Sequence, residues 1–335
     1  MRTTYFIIVA VALGFYLVAP IPANCQQKLA QTGMKFLNVG TDPRAEAMGE
    51  AFTSLEGNSS ALFYNPAGMA RIEQFASAMV GQTQWIADIK HNFASVAVAP
   101  MGGRYGVIGL SLQSVNYGDV IETVRDGDPN GLGYFDLGTF QPTAFMFGVG
   151  YARALNEKFS VGGNIKFVSQ DLGFAVIDLQ GTKSANKTSV MAFDFGIIYK
   201  TGFKSLNFGM TVRNFSKEVK YVSEGFQLPL TFKIGVSMDA FDFAPFDRKE
   251  HSFLISIDAE HPRDFSEQIR IGGEYVFMKL LSLRIGYVSP ADEYGIAYGV
   301  GLRQSISQFA LGVDYAYTPF GVFGNVHRFS VQFSL

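Results

Sequence analysis

From about Arg71 to Leu335, apolar and polar residues alternate one by one, in segment after segment. Phe232, Ile234, Val236 and Met238 fall on one side of such a segment, and Lys233, Gly235, Ser237 and Asp239 on the other. The last segment sets Phe329, Val331, Phe333 and Leu335 against Ser330, Gln332 and Ser334. Successive side chains of a strand point to opposite faces, so each segment reads as a strand with one apolar and one polar face. A soluble sandwich would have shorter strands and polar outward positions. Here the apolar rows are Phe, Tyr, Ile, Val and Leu throughout, the lipid-out, lumen-in pattern of a membrane barrel. Beyond the N-terminus no apolar run is long enough for a spanning helix. The chain carries 32 Phe, 15 Tyr and 36 Gly, and its 17% of charged residues is below the usual value of roughly 25%.

Unpaired strand edges cannot face hydrocarbon, so the sheet must close on itself. The segments predict an all-β fold: a transmembrane antiparallel β-barrel of about fourteen strands over residues 71–335, an even number. Short turns such as Met101-Gly102 and Asn156-Glu157 alternate with longer connections such as 117–137 and 172–188, and residues 240–249 break that asymmetry. An even count returns the C-terminus to the short-turn side, where the N-terminal segment is also expected to start. Gly103, Gly106 and Gly109 in the third strand mark either a kink in the wall or room for something inside it.

Residues 1–25 read as a signal peptide: Arg2 is the positive end, Tyr5 to Val18 the apolar region, and Ala23-Asn24-Cys25 the cleavage site. Cys25 also suits a lipoprotein site, but the preceding Asn24 is not the small residue such a site favours. Cleavage after Cys25 leaves no cysteine, which fits export and removes disulfides and thiolate metal sites. Residues 26–70 lack the alternation and predict a compact helical plug, or hatch, in the barrel lumen. Asp42 caps a short helix with Pro43 at its first position, Arg44 to Met48 form it, and Gly49 ends it. Asn58-Ser59-Ser60 can cap a second helix through Tyr64. Asn65-Pro66-Ala67-Gly68 repeats the device and, from the residues alone, is a capped turn.

The formal net charge of −2 leaves no basic field for nucleic acid. By alternation, Lys166, Lys233, Arg270, Arg284 and Arg303 point into the lumen, with Asp194, Asp258, Glu274 and Asp314. Mixed signs favour mutual pairing and pairing with the plug over an ion-selective path. No catalytic constellation is expected, and so neither an enzyme nor a cofactor. His91, His251, His261 and His327 have no metal-ligand spacing. Asp126 to Gly131 has calcium-friendly residues but lacks the terminal acid of a binding loop, which favours a solvated turn. Tyr134 and Phe135, in the first long loop, are candidate partner contacts or members of an interfacial aromatic belt, as are Phe320 and Phe323.

Three runs carry a family resemblance: Phe36 to Gly40, Arg44-Ala45-Glu46-Ala47-Met48-Gly49-Glu50-Ala51-Phe52, and Ala61-Leu62-Phe63-Tyr64-Asn65-Pro66-Ala67-Gly68-Met69. With Thr83 to Ala94, they resemble the PorV/PorQ family, and more widely the FadL-type barrels whose N-terminal hatch carries the same Asn-Pro-Ala. The resemblance implies an outer-membrane location and a role in type IX secretion. There, PorV-like barrels associate with a giant translocon, collect cargo by its C-terminal signal domain and deliver it to a sortase complex. On that reading the partners are outer-membrane lipid, the translocon, the sortase complex or cargo, met through loops 117–137 and 172–188. The chain is shorter than a typical PorV, which suggests a paralogue. The competing expectation is a FadL-like transporter of hydrophobic small molecules.

Overall fold

The computed structural model describes residues 32–125, 132–176, 183–221, 224–243, 246–247, 250–291 and 294–335. Residues 1–25, expected as a signal peptide, and 126–131, expected as a solvated turn, lie outside them. In chain order the strands are β1 (Ala76–Gln84), β2 (Lys90–Val98), β3 (Val107–Asn116), β4 (Val120–Arg125), β5 (Tyr134–Phe140) and β6 (Thr143–Ala154). Next come β7 (Phe159–Val176), β8 (Lys183–Lys200), β9 (Asn207–Ser216), β10 (Val219–Lys220), β11 (Gly225–Phe226) and β12 (Thr231–Asp239). The last are β13 (His251–Pro262), β14 (Gln268–Phe277), β15 (Leu281–Ser289), β16 (Ile296–Ile306), β17 (Phe309–Pro319) and β18 (Asn325–Ser334). Fourteen of them form a closed antiparallel barrel, which β1 and β18 seal in continuous register from Ser77↔Ser334 to Gln84↔His327. β4 with β5, and β10 with β11, form separate two-stranded sheets.

The alternation is the reason for the wall's two faces. Along β6, Thr143, Phe145, Phe147, Val149 and Tyr151 lie outside, while Ala144, Met146, Gly148, Gly150 and Ala152 are buried inside. One end of the barrel carries tight turns and the C-terminus, and the other carries the longer loops. We call them the turn end and the loop end. Two segments expected as loops contain strands. β4 and β5 make a hairpin that occupies much of 117–137 and runs on to Phe140, and β7 and β8 continue beyond the wall into 172–188. Neither extension has a fully buried face, so the alternation that marks the wall strands is missing there.

Residues 34–72 fill the lumen. Phe36, Met48, Phe52, Leu62, Tyr64 and Met69 are all buried. The first short helix, Pro43–Ala47, is capped as expected, with the Asp42 carboxylate accepting from the Arg44 N–H at 2.9 Å. Gly49, which follows it, takes φ 65°, a conformation that costs a glycine little. The second, Ser59–Phe63, has no side-chain cap from Asn58. Instead the Ser60 hydroxyl, 2.6 Å from Asp42, ties this helix to the first.

The direction of this segment differs from the sequence expectation. Thr32 bridges Gln227, and the Thr32 hydroxyl and the Lys35 ammonium both donate to Asp264. Gln227 and Asp264 belong to connections at the loop end, whereas Arg71 reaches the carbonyl of Asn156 in a tight turn. The chain therefore crosses the lumen once from the loop end to the turn end before β1 begins. That extra crossing puts the start of the described segment opposite the C-terminus despite the even strand count. Of the glycines expected in the third strand, Gly103 and Gly106 lie in the turn before β3 at φ 76° and 95°, and β3 itself, which holds Gly109, has unbroken register with both neighbours. A side chain at Gly109 would come within 2.7 Å of Met69 Sδ, and this glycine makes room for the plug.

Candidate functional site

The lumen site starts from Asn65. Its side-chain oxygen accepts from the Ala67 N–H at 3.1 Å and so caps the helix Pro66–Arg71. The same amide's nitrogen donates to Thr53 O at 2.7 Å, within the plug, and to Ile197 O at 3.1 Å, in the wall. The wall makes space for this contact with glycines. A Cβ at Gly196 would lie 1.9 Å from Asn65 Oδ1, and one at Gly162 would lie 2.4 Å from the Ala67 backbone nitrogen. Pro66 and Ala67 are buried in the same turn, and Gly68 receives the backbone there, its N–H donating to Asn65 O at 2.9 Å.

Above this seat, the charged residues meet in groups. Lys166 pairs with Asp194 at 2.7 Å, and also donates to Asn214. Lys233 lies 2.8 Å from Glu50 and 3.1 Å from Glu260, and Arg270 contacts the same two carboxylates. Glu274 accepts from Arg44 of the plug and, at 2.7 Å, from Arg284, which also reaches Asp314 at 2.5 Å. Asp258 accepts from the backbone N–H groups of Phe52 and Thr53, both at 3.0 Å. Opposite charges so placed neutralise one another where water is scarce, and removing one partner of such a pair is costly. Arg303 stands apart from these groups. It sits near the end of β16, is exposed, and does not join the lumen charges. The alternation assigns it to the lumen, but the buried positions of β16 end before it.

Several participants escaped the sequence reading. Glu260 and Arg328 share the parity of residues assigned to the lumen, and could have been found by extending the alternation. Arg328 pairs with Glu46 of the plug at 3.0 Å. Asn214 could not have been found that way. A bulge in β9 opposite Phe193 to Phe195 gives it φ 61° and turns it inward beside Arg213.

At the loop end the tie between Lys35, Thr32 and Asp264 fixes the plug's entry. Burial alone would raise the Asp264 carboxyl, but the hydrogen bonds from Lys35 and Thr32 outweigh it and hold this group below the usual carboxylate range. Beneath these loops lies a cavity of about 590 Å³ bounded by plug, wall and loops. Outside the barrel, on β5, Tyr134 and Phe135 are 49% and 57% exposed. Among the described residues there is no cluster of three or more metal-ligating side chains.

A closed fourteen-stranded wall with a charge-tied segment across its lumen defines a membrane β-barrel of the plugged kind. The sequence profile of the type IX secretion system membrane protein PorP/SprF matches residues 131–333, well over half of the chain. This protein belongs to the PorP/SprF family. The motifs of residues 36–94 that resemble PorV/PorQ lie outside the matched residues. No curated protein sequence matches the chain. Among solved structures, the Pseudomonas putida toluene transporter TodX aligns over 92% of this chain and 99% of its own, at TM-score 0.55 and 11% identity. The Ralstonia pickettii toluene transporter TbuX aligns over 88% and 97%, at 0.54 and 11%. The CymD monoaromatic hydrocarbon channel aligns over 89% and 98%, at 0.53 and 12%. At such identities these likenesses establish the fold alone.

Proposed function

We propose that this barrel is a docking component of type IX secretion in the outer membrane, working as PorV-like barrels do. It binds the translocon, the sortase complex or cargo with C-terminal signal domains through its loop end. The signal peptide at 1–25 delivers the chain to the periplasm, and the asymmetry of short turns and long loops puts the loop end outside the cell and the turn end in the periplasm. Residues 26–70 act as a fixed plug, and the protein is a platform rather than a pore or an enzyme.

The observation that carries this reading is the β4–β5 hairpin. It forms a two-stranded sheet separate from the barrel's, with Ile121, Tyr134, Phe135 and Leu137 exposed. Exposed apolar residues grouped on a projecting element favour a protein partner. The lumen supports the same reading, because ion pairs and hydrogen bonds join plug to wall along its length. Replacing residues 117–137 with a short Gly-Ser turn tests it. The barrel should fold and reach the membrane, while mild-detergent purification no longer recovers translocon, sortase or cargo proteins. Unchanged secretion and unchanged co-purification would show the hairpin assignment to be wrong.

A further inference from the structure

The cavity at the loop end has a feature that the docking role does not use. Arg44, Lys166, Lys233, Arg270, Arg284 and Arg328 each lie within 3.3 Å of a carboxylate oxygen. Arg213 does not. Among the described residues it forms no ion pair, and it interacts with Glu50 only at longer range. Its Nε is buried without a hydrogen-bond partner, Nη2 makes one long bond to Leu37 O at 3.4 Å, and the guanidinium carbon lies 5.7 Å from the centre of the Tyr64 ring. A guanidinium offers five donors in a rigid fork. The buried Nε is an unmet donor, a cost that an acceptor entering the cavity would relieve.

That cavity is flanked by flat rings. Phe36, Trp85, Tyr117, Tyr221, Tyr294 and Phe320 line it together with Arg213. The Phe320 ring stacks on Tyr294 at 4.8 Å and meets Trp85 edge-on at 5.1 Å. Its volume of about 590 Å³ falls within the usual range for small-molecule sites. Glu50, Glu260 and Asp264 also border it. Those carboxylates are already paired with Lys233, Arg270 and Lys35, so one further negative charge is what Arg213 can receive. Rings on several sides favour a flat apolar body over a saturated chain.

We propose that this cavity binds a small aromatic monocarboxylate, with Arg213 receiving the carboxylate and the surrounding rings holding the body. The proposal does not depend on the secretion reading. Trp85 is the chain's only tryptophan, so intrinsic fluorescence reports directly on occupancy.

The test uses the full chain in lipid nanodiscs with three probes: hydrocinnamate, its neutral amide hydrocinnamide, and nonanoate, which has the same carbon count as hydrocinnamate. Binding is followed by calorimetry and by Trp85 emission. Hydrocinnamate is expected to bind and to shift the emission. The amide should bind about tenfold or more weakly, as loss of a charge-assisted hydrogen bond implies, and nonanoate should bind less tightly than hydrocinnamate. Arg213→Gln should weaken the acid by a similar factor and leave the amide unaffected, while Arg213→Lys keeps part of the affinity. Comparing acid and amide on the unaltered protein needs no variant to fold. The proposal is overturned if hydrocinnamate does not bind, if amide and acid bind equally, if nonanoate binds as tightly or tighter, or if folded Arg213→Gln keeps full affinity for the acid.

Discussion

Asn65 offers the sharpest test of how the plug is held. If its role were capping alone, aspartate would serve equally well, because Asp and Asn are comparable N-caps. The structure gives a different ranking. Asn65 is 1% exposed, and its amide nitrogen points at two carbonyl oxygens, Thr53 O and Ile197 O. Asn65→Ala removes the cap, worth about 1 kcal/mol, and two hydrogen bonds worth roughly 0.5–1.5 kcal/mol each, for a total loss of about 2–4 kcal/mol. Asn65→Asp keeps the cap but sets a carboxylate oxygen against those carbonyls. A buried, unpaired charge costs several kcal/mol or forces the group to take up a proton, so Asp should be worse than Ala. Both effects fall on the plug's seat rather than on the wall, whose strands pair independently of it. Single-channel recording in planar bilayers is therefore the appropriate assay, supported by limited proteolysis of the plug. The unaltered protein should conduct poorly, Asn65→Ala should open occasionally, and Asn65→Asp should open most often. An Asn65→Asp protein as tight as the unaltered one would refute the argument that the donor, and not only the cap, anchors the plug.

The two adjacent glycines of β7 give a paired comparison. A methyl at Gly162 would press on the backbone of Pro66 and Ala67 at 2.4–2.5 Å, whereas one at Gly163 finds nothing nearer than 3.6 Å. Gly162→Ala should unseat the plug and raise conductance, and Gly163→Ala should behave as the unaltered protein. Arg284→Leu would leave Asp314 without its cation and remove one of the two that serve Glu274, at a cost of roughly 3–5 kcal/mol. The double change Arg284→Leu with Asp314→Leu should recover part of that, since Arg44 still serves Glu274. The temperature at which the folded band disappears on unheated gels measures both. Asp264 predicts a pH dependence. Its carboxyl sits below its unfolded value, so the tie to Thr32 and Lys35 contributes fully above the ordinary aspartate pKa of ~3.9. The contribution is lost as pH falls through the lower folded value. Proteolysis near Thr32 should rise on that acid side by an acid-active protease, and Asp264→Asn should be susceptible already at neutral pH.

The wall was legible because lipid enforces a simple rule on it. Every residue of a spanning strand faces either hydrocarbon or the lumen, so a period of two marks the fourteen strands of the wall. Where that rule lapses, the reading lapsed as well. The β4–β5 hairpin has no buried face, the β9 bulge puts Arg213 and Asn214 on the same side, and β16 runs past the covered interior before Arg303. The plug was legible only in its punctuation. Asp42-Pro43 and Asn65-Pro66 announce helix starts, but the helix they open at Pro43–Ala47 has five residues, too few to persist alone, since isolated helices shorter than ~12–15 residues are marginal in water. What fixes it lies in the wall: Glu274 receives Arg44, and Arg328 receives Glu46. The sequence separations of those pairs exceed two hundred residues, so no local pattern announces them. It follows that the plug has no fold of its own to lose. It is specified by the barrel's inner charges and glycines, and a change to either should displace the plug while the strands around it remain paired.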